Sequence, residues 1–160
     1  MGLREFTDKW TSVDYPPDPV SDDDLSVAEQ RLGVGFPRGY RDAVLRIGLP
    51  RPTIALLDAI VEHNLDLAPP GDFYSPDEIV EETLAWREIG MPEHLIAIAS
   101  DGMGNKFCFD AGGLERGASD SQAVWFFDHD FNTVEKIAVS FDAWIDTFCA
   151  VEPLRDSDAR

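Results

Sequence analysis

The sequence predicts an α+β fold in which helices pack against a twisted antiparallel sheet. Helix signals dominate the first ninety residues, strand–turn–strand patterns fill residues 95–139, and one amphipathic helix follows. Helices and hairpins that are separated along the chain in this way are typical of α+β folds. The 160 residues suit one domain. We expect that domain at residues 21–151, with an N-terminal arm at 1–20 and a frayed tail at 152–160.

Capping residues mark the ends of three expected helices. Ser21 precedes three aspartates and predicts a helix that ends at Gly33. Pro37 predicts the start of a second helix, which Gly48 ends. The sequence Ser75-Pro76-Asp77-Glu78 is a capping box that begins a third helix.

Residues 53–65 are ambiguous between helix and strand because short apolar runs do not define a period. The spacing of Leu57, Ile60, Val61 and Asn64 favours a helix. The following residues 69–72, Pro-Pro-Gly-Asp, predict a loop.

Two hairpins and a closing helix are expected in the second half. Strands at Leu95–Ala99 and Lys106–Asp110 flank a glycine-rich turn, and a loop spans residues 111–122. Strands at Ala123–Asp128 and Val134–Val139 flank a second turn. Ser140 predicts the cap of a final helix. Its apolar face carries Phe141, Trp144, Ile145 and Phe148.

The charge is strongly acidic, with 31 Asp and Glu against 13 Lys and Arg, a net of −18. Residues 52–115 contain only Arg87 and Lys106 as basic side chains. Such a surface repels nucleic acid and anionic membranes and speeds the encounter with a basic partner. A role in solubility alone is the alternative.

The two cysteines, Cys108 and Cys149, lie in apolar runs and predict buried, reduced thiols in the cytoplasm. No apolar run approaches the roughly 20 residues that span a bilayer. The first residues lack the apolar core of a signal peptide.

Motifs for catalysis or metal binding are incomplete. Residues 128–132, Asp-His-Asp-Phe-Asn, match the first three ligand positions of a calcium loop, but Thr133 replaces the required Gly and Val139 the final Glu. The glycines of residues 33–39 lack the spacing and the preceding strand of a dinucleotide-binding loop. We therefore expect no enzyme activity, metal or cofactor.

Short motifs in a fixed order resemble the SUKH superfamily, the Smi and Knr type of domain. The first is Glu29-x-x-Leu32-Gly33-x-x-Phe36-Pro37-x-x-Tyr40. The runs 91–99 and 101–110 resemble the central hairpin of the family, and Ser140-Phe141-x-x-Trp144-Ile145 resembles its closing helix. The resemblance covers residues 21–149. It implies a SUKH-like fold and a non-enzymatic binding domain, and many bacterial members are immunity proteins.

The favoured hypothesis is an immunity protein that neutralises a cognate basic toxin, nucleases included. The predicted contacts are turn carboxylates and the acidic start of a helix, with two aromatic anchors if these are exposed. For each acid, a solvated surface charge is the alternative. The predicted set is Asp101, Asp110, Asp128, Asp130, Glu78, Glu81, Glu82, Trp125 and Phe127.

Two other classes of function stay open at this point. A regulatory scaffold would bind a protein other than a toxin. A metal-dependent hydrolase would use Asp101, Asp110, Asp128 and Asp130. The sequence assigns no oligomeric state.

Overall fold

Five strands form one antiparallel sheet in the order β1-β2-β3-β4-β5, within the described residues 2–114 and 122–154 of the computed structural model. The expected loop 111–122 and tail 152–160 fall partly on residues 115–121 and 155–160, which lie outside the described residues. The strands are β1 Asp72–Phe73, β2 Leu95–Ser100, β3 Lys106–Asp110, β4 Val124–Asp128 and β5 Thr133–Ala138. The helices are α1 Leu3–Trp10, α2 Asp22–Leu32, α3 Arg38–Ile47, α4 Ile54–Glu62, α5 Pro76–Glu88, α6 Ala111–Leu114 and α7 Phe141–Cys149.

The α+β prediction is confirmed, and the caps lie where the sequence places them. The Ser21 hydroxyl accepts a hydrogen bond from the amide of Asp24, and Gly33 ends α2 with a left-handed φ of 69°. Ser75 and Glu78 form the reciprocal capping box of α5. Residues 54–62 are helical, as their spacing favours.

The sheet is covered on both faces. On one face Trp86 of α5 packs edge-on against Phe127, with ring centroids 6.5 Å apart. On the other face Trp144 of α7 lies 4.7 Å from Phe107, and Tyr40 of α3 contacts Phe109. Strand residues therefore alternate between two buried layers, and this explains why β2 and most of β3 are buried on both sides.

The N-terminal helix α1 is fastened to the closing helix α7. The indole N–H of Trp10 donates to the carbonyl of Phe148 over 2.9 Å, and Lys9 Nζ donates to the carbonyl of Cys149 over 2.6 Å. Phe6 is fully buried and meets Phe148 edge-on. The aromatic residues of the first ten positions thus belong to the core of the domain.

The glutamate of the N-terminal motif explains the spacing of that motif. The Glu29 carboxylate accepts from the amide of Phe36 over 2.7 Å and from the guanidinium of Arg41 over 3.1 Å. The left-handed Gly33 turns the chain between these partners. Phe36 and Tyr40 are then buried against each other at 5.5 Å. The Glu29 carboxylate therefore links α2 to α3 and to the turn between them, beside the bonds of Arg41 to Asp22 and Ser26.

The helix α5 is joined to the sheet by a buried hydroxyl. The amide of Ala97, next to an irregularity in the β2–β3 register, donates to Thr83 Oγ1 over 2.9 Å. Thr83 is fully buried. This bond satisfies a strand amide with a helix side chain and so holds α5 at a defined height on the sheet.

Replacement of Thr83 by Val should lower the free energy of unfolding by about 1–3 kcal/mol, because it leaves the Ala97 amide without its acceptor. Thr83→Ser is the matched control: it keeps the hydroxyl and removes one methyl group, worth about 0.8 kcal/mol. Urea unfolding of the three proteins measures both values. A valine variant as stable as the serine variant would contradict this role for the hydroxyl.

Candidate functional site

The two sheet turns that the sequence predicts as contact sites lie side by side at one end of the sheet. The amide of His129, in the β4–β5 turn, donates to Asn105 Oδ1 of the β2–β3 loop over 3.1 Å, and the His129 ring Nδ1 lies 2.8 Å from the same oxygen. This pairing follows from the antiparallel register, in which Lys106 opposes Phe127. We call this end the acidic loop end and define it by the carboxylates Asp72, Glu82, Asp101, Asp128 and Asp130.

A glycine allows the close contact between the two turns. Gly104 has a φ of 94°, and a Cβ at this position would lie 2.8 Å from His129 Cε1. A side chain there would therefore strain the backbone and displace the imidazole. The ring of His129 in turn packs edge-on against Trp86, with centroids 5.7 Å apart. The two turns and α5 thus form one connected surface.

A buried lysine lies beneath this surface. Lys106 is only 3 % exposed, its Nζ donates to the Tyr74 hydroxyl over 2.5 Å, and the same Nζ lies 4.7 Å from the Trp86 ring centroid. Burial lowers the pKa of Lys106, while the negative charge of Glu82 and, more weakly, of Asp101 and Asp72 opposes this shift. Burial also raises the pKa of Tyr74. The hydrogen bond and the cation–π contact therefore compensate for the loss of water around one ammonium group.

The carboxylates outnumber the lysine that they surround. Burial raises the pKa of Asp72, and the negative charges of Glu78 and Glu82 raise it further, although Lys106 acts in the opposite direction. Like charges that are held together in this way are stabilised when a cation approaches from outside. The acidic loop end therefore concentrates negative charge on one surface of the domain.

The turn aspartates have local roles in addition to their charge. Asp101 Oδ1 accepts from the amides of Met103 and Asn105, over 2.8 and 3.2 Å. Asp128 Oδ1 accepts from the amides of Asp130 and Phe131, over 3.0 and 3.3 Å. One oxygen of each of these two carboxylates shapes its turn, and the negative charge remains partly open to solvent.

Asp128, His129 and Asp130 place three ligand-type atoms within 4.8 Å of one another. His129 Nε2 lies 3.3 Å from Asp130 Oδ1, and its other ring nitrogen lies against Asn105. Turn formation accounts for these contacts, as the incomplete calcium-loop motif indicates.

The predicted contact residues fall into separate groups. Asp101, Asp128 and Asp130 belong to the acidic loop end. Asp110 lies at the opposite end of β3, about 13 Å from Lys106 at the usual rise of a strand, and its carboxylate accepts from the amide of Gly112. The predicted hairpin already implies this separation, because Asp101 lies in its turn and Asp110 ends its second strand.

The predicted helix acids also differ in position. Glu82 is half-buried and acts on Lys106, so it joins the acidic loop end. Glu81 is exposed on α5. Glu78 is exposed and closes the capping box, since its Oε1 accepts from the amide of Ser75 over 3.0 Å.

The two aromatic candidates do not project into solvent. Phe127 is 2 % exposed and packs under Trp86, so it does not meet the exposure that a partner anchor requires. Trp125 is half-buried and packs against the core. Both point toward the face of the sheet that α5 covers, because they alternate with Phe126 on the other face.

Two apolar side chains that were not among the predicted contacts are exposed at the acidic loop end. Met103 and Phe131 are each 78 % exposed at the tips of the two adjoining turns. Each stands between turn-forming residues, in Gly-Met-Gly and Asp-Phe-Asn. A large apolar residue at such a position has no strand or helix to bury it, and this is the signal by which both are recognisable.

Asp72→Asn should raise the free energy of unfolding at pH 7, because the folded state disfavours the ionised carboxylate. A raised pKa means that the wild-type protein loses stability as pH rises from 3.8 through the folded pKa of Asp72. The gain in the variant should therefore disappear as pH falls toward 3.8. Urea unfolding across this pH range measures it. Asp8→Asn, an exposed change on α1, should show no gain, and an equal gain there would exclude a local cause.

Comparison with known proteins supports this architecture. No curated protein sequence matches the chain. A crystal structure of a protein from Pseudomonas syringae pv. tomato has a similar fold, with a TM-score of 0.54 and 16 % sequence identity. The match covers 90 % of this chain and 96 % of that chain. At this identity the likeness shows the fold and carries no function.

The remaining comparison concerns the family. The model of the SMI1 / KNR4 family (SUKH-1) matches residues 19–147. This range includes the Glu29 motif, the central hairpin and most of the closing helix. Within the described residues, no helix combines the length and apolar character that a bilayer crossing requires. The chain belongs to the SMI1 / KNR4 family (SUKH-1).

Proposed function

We propose that this protein is a non-enzymatic immunity protein that binds and neutralises a cognate basic toxin of bacterial origin. The observation that carries the proposal is the gathering of carboxylates from β1, α5 and the β2–β3 loop near Lys106, the one buried cation among the described residues, with the β4–β5 turn held beside that loop. Membership in the SMI1 / KNR4 family supports it, because immunity proteins are common among the bacterial members that the sequence resembles. A net charge of −18 adds long-range attraction for a basic protein.

Binding would proceed through electrostatic steering followed by local contact. The acidic loop end attracts basic side chains, and contact with Lys or Arg relieves the repulsion among Asp72, Glu78 and Glu82. Met103 and Phe131, at the tips of the same turns, then supply apolar contact. Neutralisation requires only that this surface cover the site where the toxin binds its own substrate.

The direct test uses the product of the gene immediately upstream. Co-expression of this chain with that protein should restore growth to cells that the toxin otherwise stops, and the two proteins should co-purify as a complex. A complex without protection from toxicity would indicate the scaffold alternative. If the two proteins form no complex and the cells are not protected, the proposal is rejected for this pair.

Salt should act mainly on the rate of association. An increase from low to physiological ionic strength should slow association about tenfold or more, because the screening length falls to roughly 8 Å. Dissociation should change much less. Stopped-flow mixing at several salt concentrations measures both rates. An association rate that does not depend on salt would reject electrostatic steering.

The combined change Asp128→Asn and Asp130→Asn should reproduce part of this slowing with little loss of stability. Asn at 128 keeps a side-chain oxygen for the two turn amides, so only charge is removed. The control with an equal change in charge is Asp22→Asn with Asp24→Asn, at the start of α2. It should destabilise α2 by about 0.5–1 kcal/mol, because it removes two charges that favour the helix dipole and the ion pair of Asp22 with Arg41, while association stays nearly unchanged.

A slowing by the α2 variant equal to that by the turn variant would show that net charge acts, and would contradict a localised contact at the acidic loop end.

A further inference from the structure

A groove of two adjoining cavities lies beside the acidic loop end. The larger has a volume of about 550 Å³, between α4, residues 67–71 and the β2–β3 loop. The smaller has a volume of about 250 Å³ and lies between residues 66–68, the sheet and α7. Leu67 and Ala68 line both cavities. The two therefore form one groove that runs from the tip of the β2–β3 loop to strand β5.

The larger cavity of the groove is lined mainly by apolar surface, whereas the lining of the smaller one is mixed. Ile54, Leu57 and Met103 line the larger cavity and keep much of their surface in water, and Ile137 does the same in the smaller one. On α4, Ile54 and Leu57 share a face with the exposed Val61. A face of this kind is normally polar on a helix that meets only water, so its apolar residues indicate an interaction surface.

The charge at the groove has one sign. Among the described residues that line the two cavities, the charged ones are Asp101 at one end and Asp66 and Glu135 at the other. Arg51 precedes the lining residues in sequence, and its guanidinium already binds the Asp18 carboxylate at 2.5 and 3.2 Å. An apolar surface with carboxylates at both ends is complementary to a chain segment whose apolar side chains are flanked by cations.

We infer that the groove binds a segment of the toxin in which apolar side chains are flanked on both sides by Lys or Arg. This inference deepens the proposed function and takes from it that the partner is a basic protein. The acidic loop end steers that partner, and the groove beside it buries the apolar residues that slow dissociation. Specificity for one toxin then depends on the side chains of α4 and of the β2–β3 loop. These side chains select the partner by shape as well as by charge.

The first test uses the full chain and synthetic peptides as probes. One peptide carries Leu and Val between pairs of Lys, a second replaces each Lys by Glu, and a third replaces each apolar residue by Ser. The first should bind about tenfold more tightly than either of the others, as measured by fluorescence anisotropy. Amide shifts in NMR titrations should cluster at residues 52–57, 66–71, 101–103 and 135–137. The inference would be overturned if the third peptide bound as tightly as the first, or if the amide shifts lay at other residues.

The second test uses a matched pair of variants. Leu57, in the groove, is 43 % exposed, and Leu84, on the outer side of α5, is 44 % exposed. Leu57→Ser should weaken binding of the Lys–Leu peptide and of the toxin about tenfold, mainly through faster dissociation, whereas Leu84→Ser should leave both unchanged. Equal effects of the two would contradict a role for the groove.

The two proposals fail separately. If the toxin binds and Leu57→Ser has no effect on its dissociation, the groove inference is wrong while the immunity function stands. If the peptide binds in the groove but the upstream product neither binds nor is neutralised, the toxin assignment is wrong. If Leu57→Ser instead abolishes a dimer of the wild-type chain, as sedimentation measures it, the occupant is a second copy, and the inferred partner is wrong.

Discussion

The burial of Lys106 is the constraint on which the acidic loop end depends. An ammonium group that is removed from water must be compensated, and here the Tyr74 hydroxyl and the Trp86 ring provide that compensation. Tyr74 directly follows β1 and Trp86 belongs to α5, so one side chain of β3 joins three elements. The negative charges of Glu82, Asp101 and Asp72 act on the same cation and oppose the lowering of its pKa by burial. Lys106 therefore links the packing of these elements to the charge of the acidic loop end.

This arrangement explains how an acidic surface can be both concentrated and ordered. Carboxylates on independent loops would move apart to reduce their repulsion. Here the register of β3 with β4 fixes the distance between the two turns, and Asn105 links them through His129. The covered sheet supports the two turns, and the carboxylates of Asp101 and Asp128 lie on these short turns. Binding sites on such turns lose little conformational entropy when a partner docks.

Much of the fold was predictable because its signals are local. Ser75 with Glu78, Ser21 with Gly33, and the alternation of apolar residues in the two hairpins each identify an element from a few neighbouring residues. Strand β1 was missed, since its two residues follow Pro-Pro-Gly and pair only with distant Ser100 and Ala99. Such a strand depends on its partner and leaves no periodic pattern.

The candidate site was only partly predictable, for a similar reason. Turn position identifies Asp101 and Asp128 as exposed acids, but the distance between turns depends on strand register, which sequence periodicity does not report. Phe127 was a candidate anchor because β-strand alternation cannot tell which face a helix will cover. The groove combines α4 with the β2–β3 loop, and these are separated by some forty residues. No local pattern joins them.

The bond between Trp10 and Phe148 has a consequence for how the chain is made. These residues are 138 positions apart, so during synthesis α1 leaves the ribosome long before α7 exists. Until then Phe6 and Trp10 lack the part of their cover that α7 provides, although Phe6 also packs against Phe73. Docking of α1 onto α7 therefore cannot be completed until the end of the domain has been synthesised. A chain released before α7 is complete would therefore be a target for chaperones at its N-terminal helix.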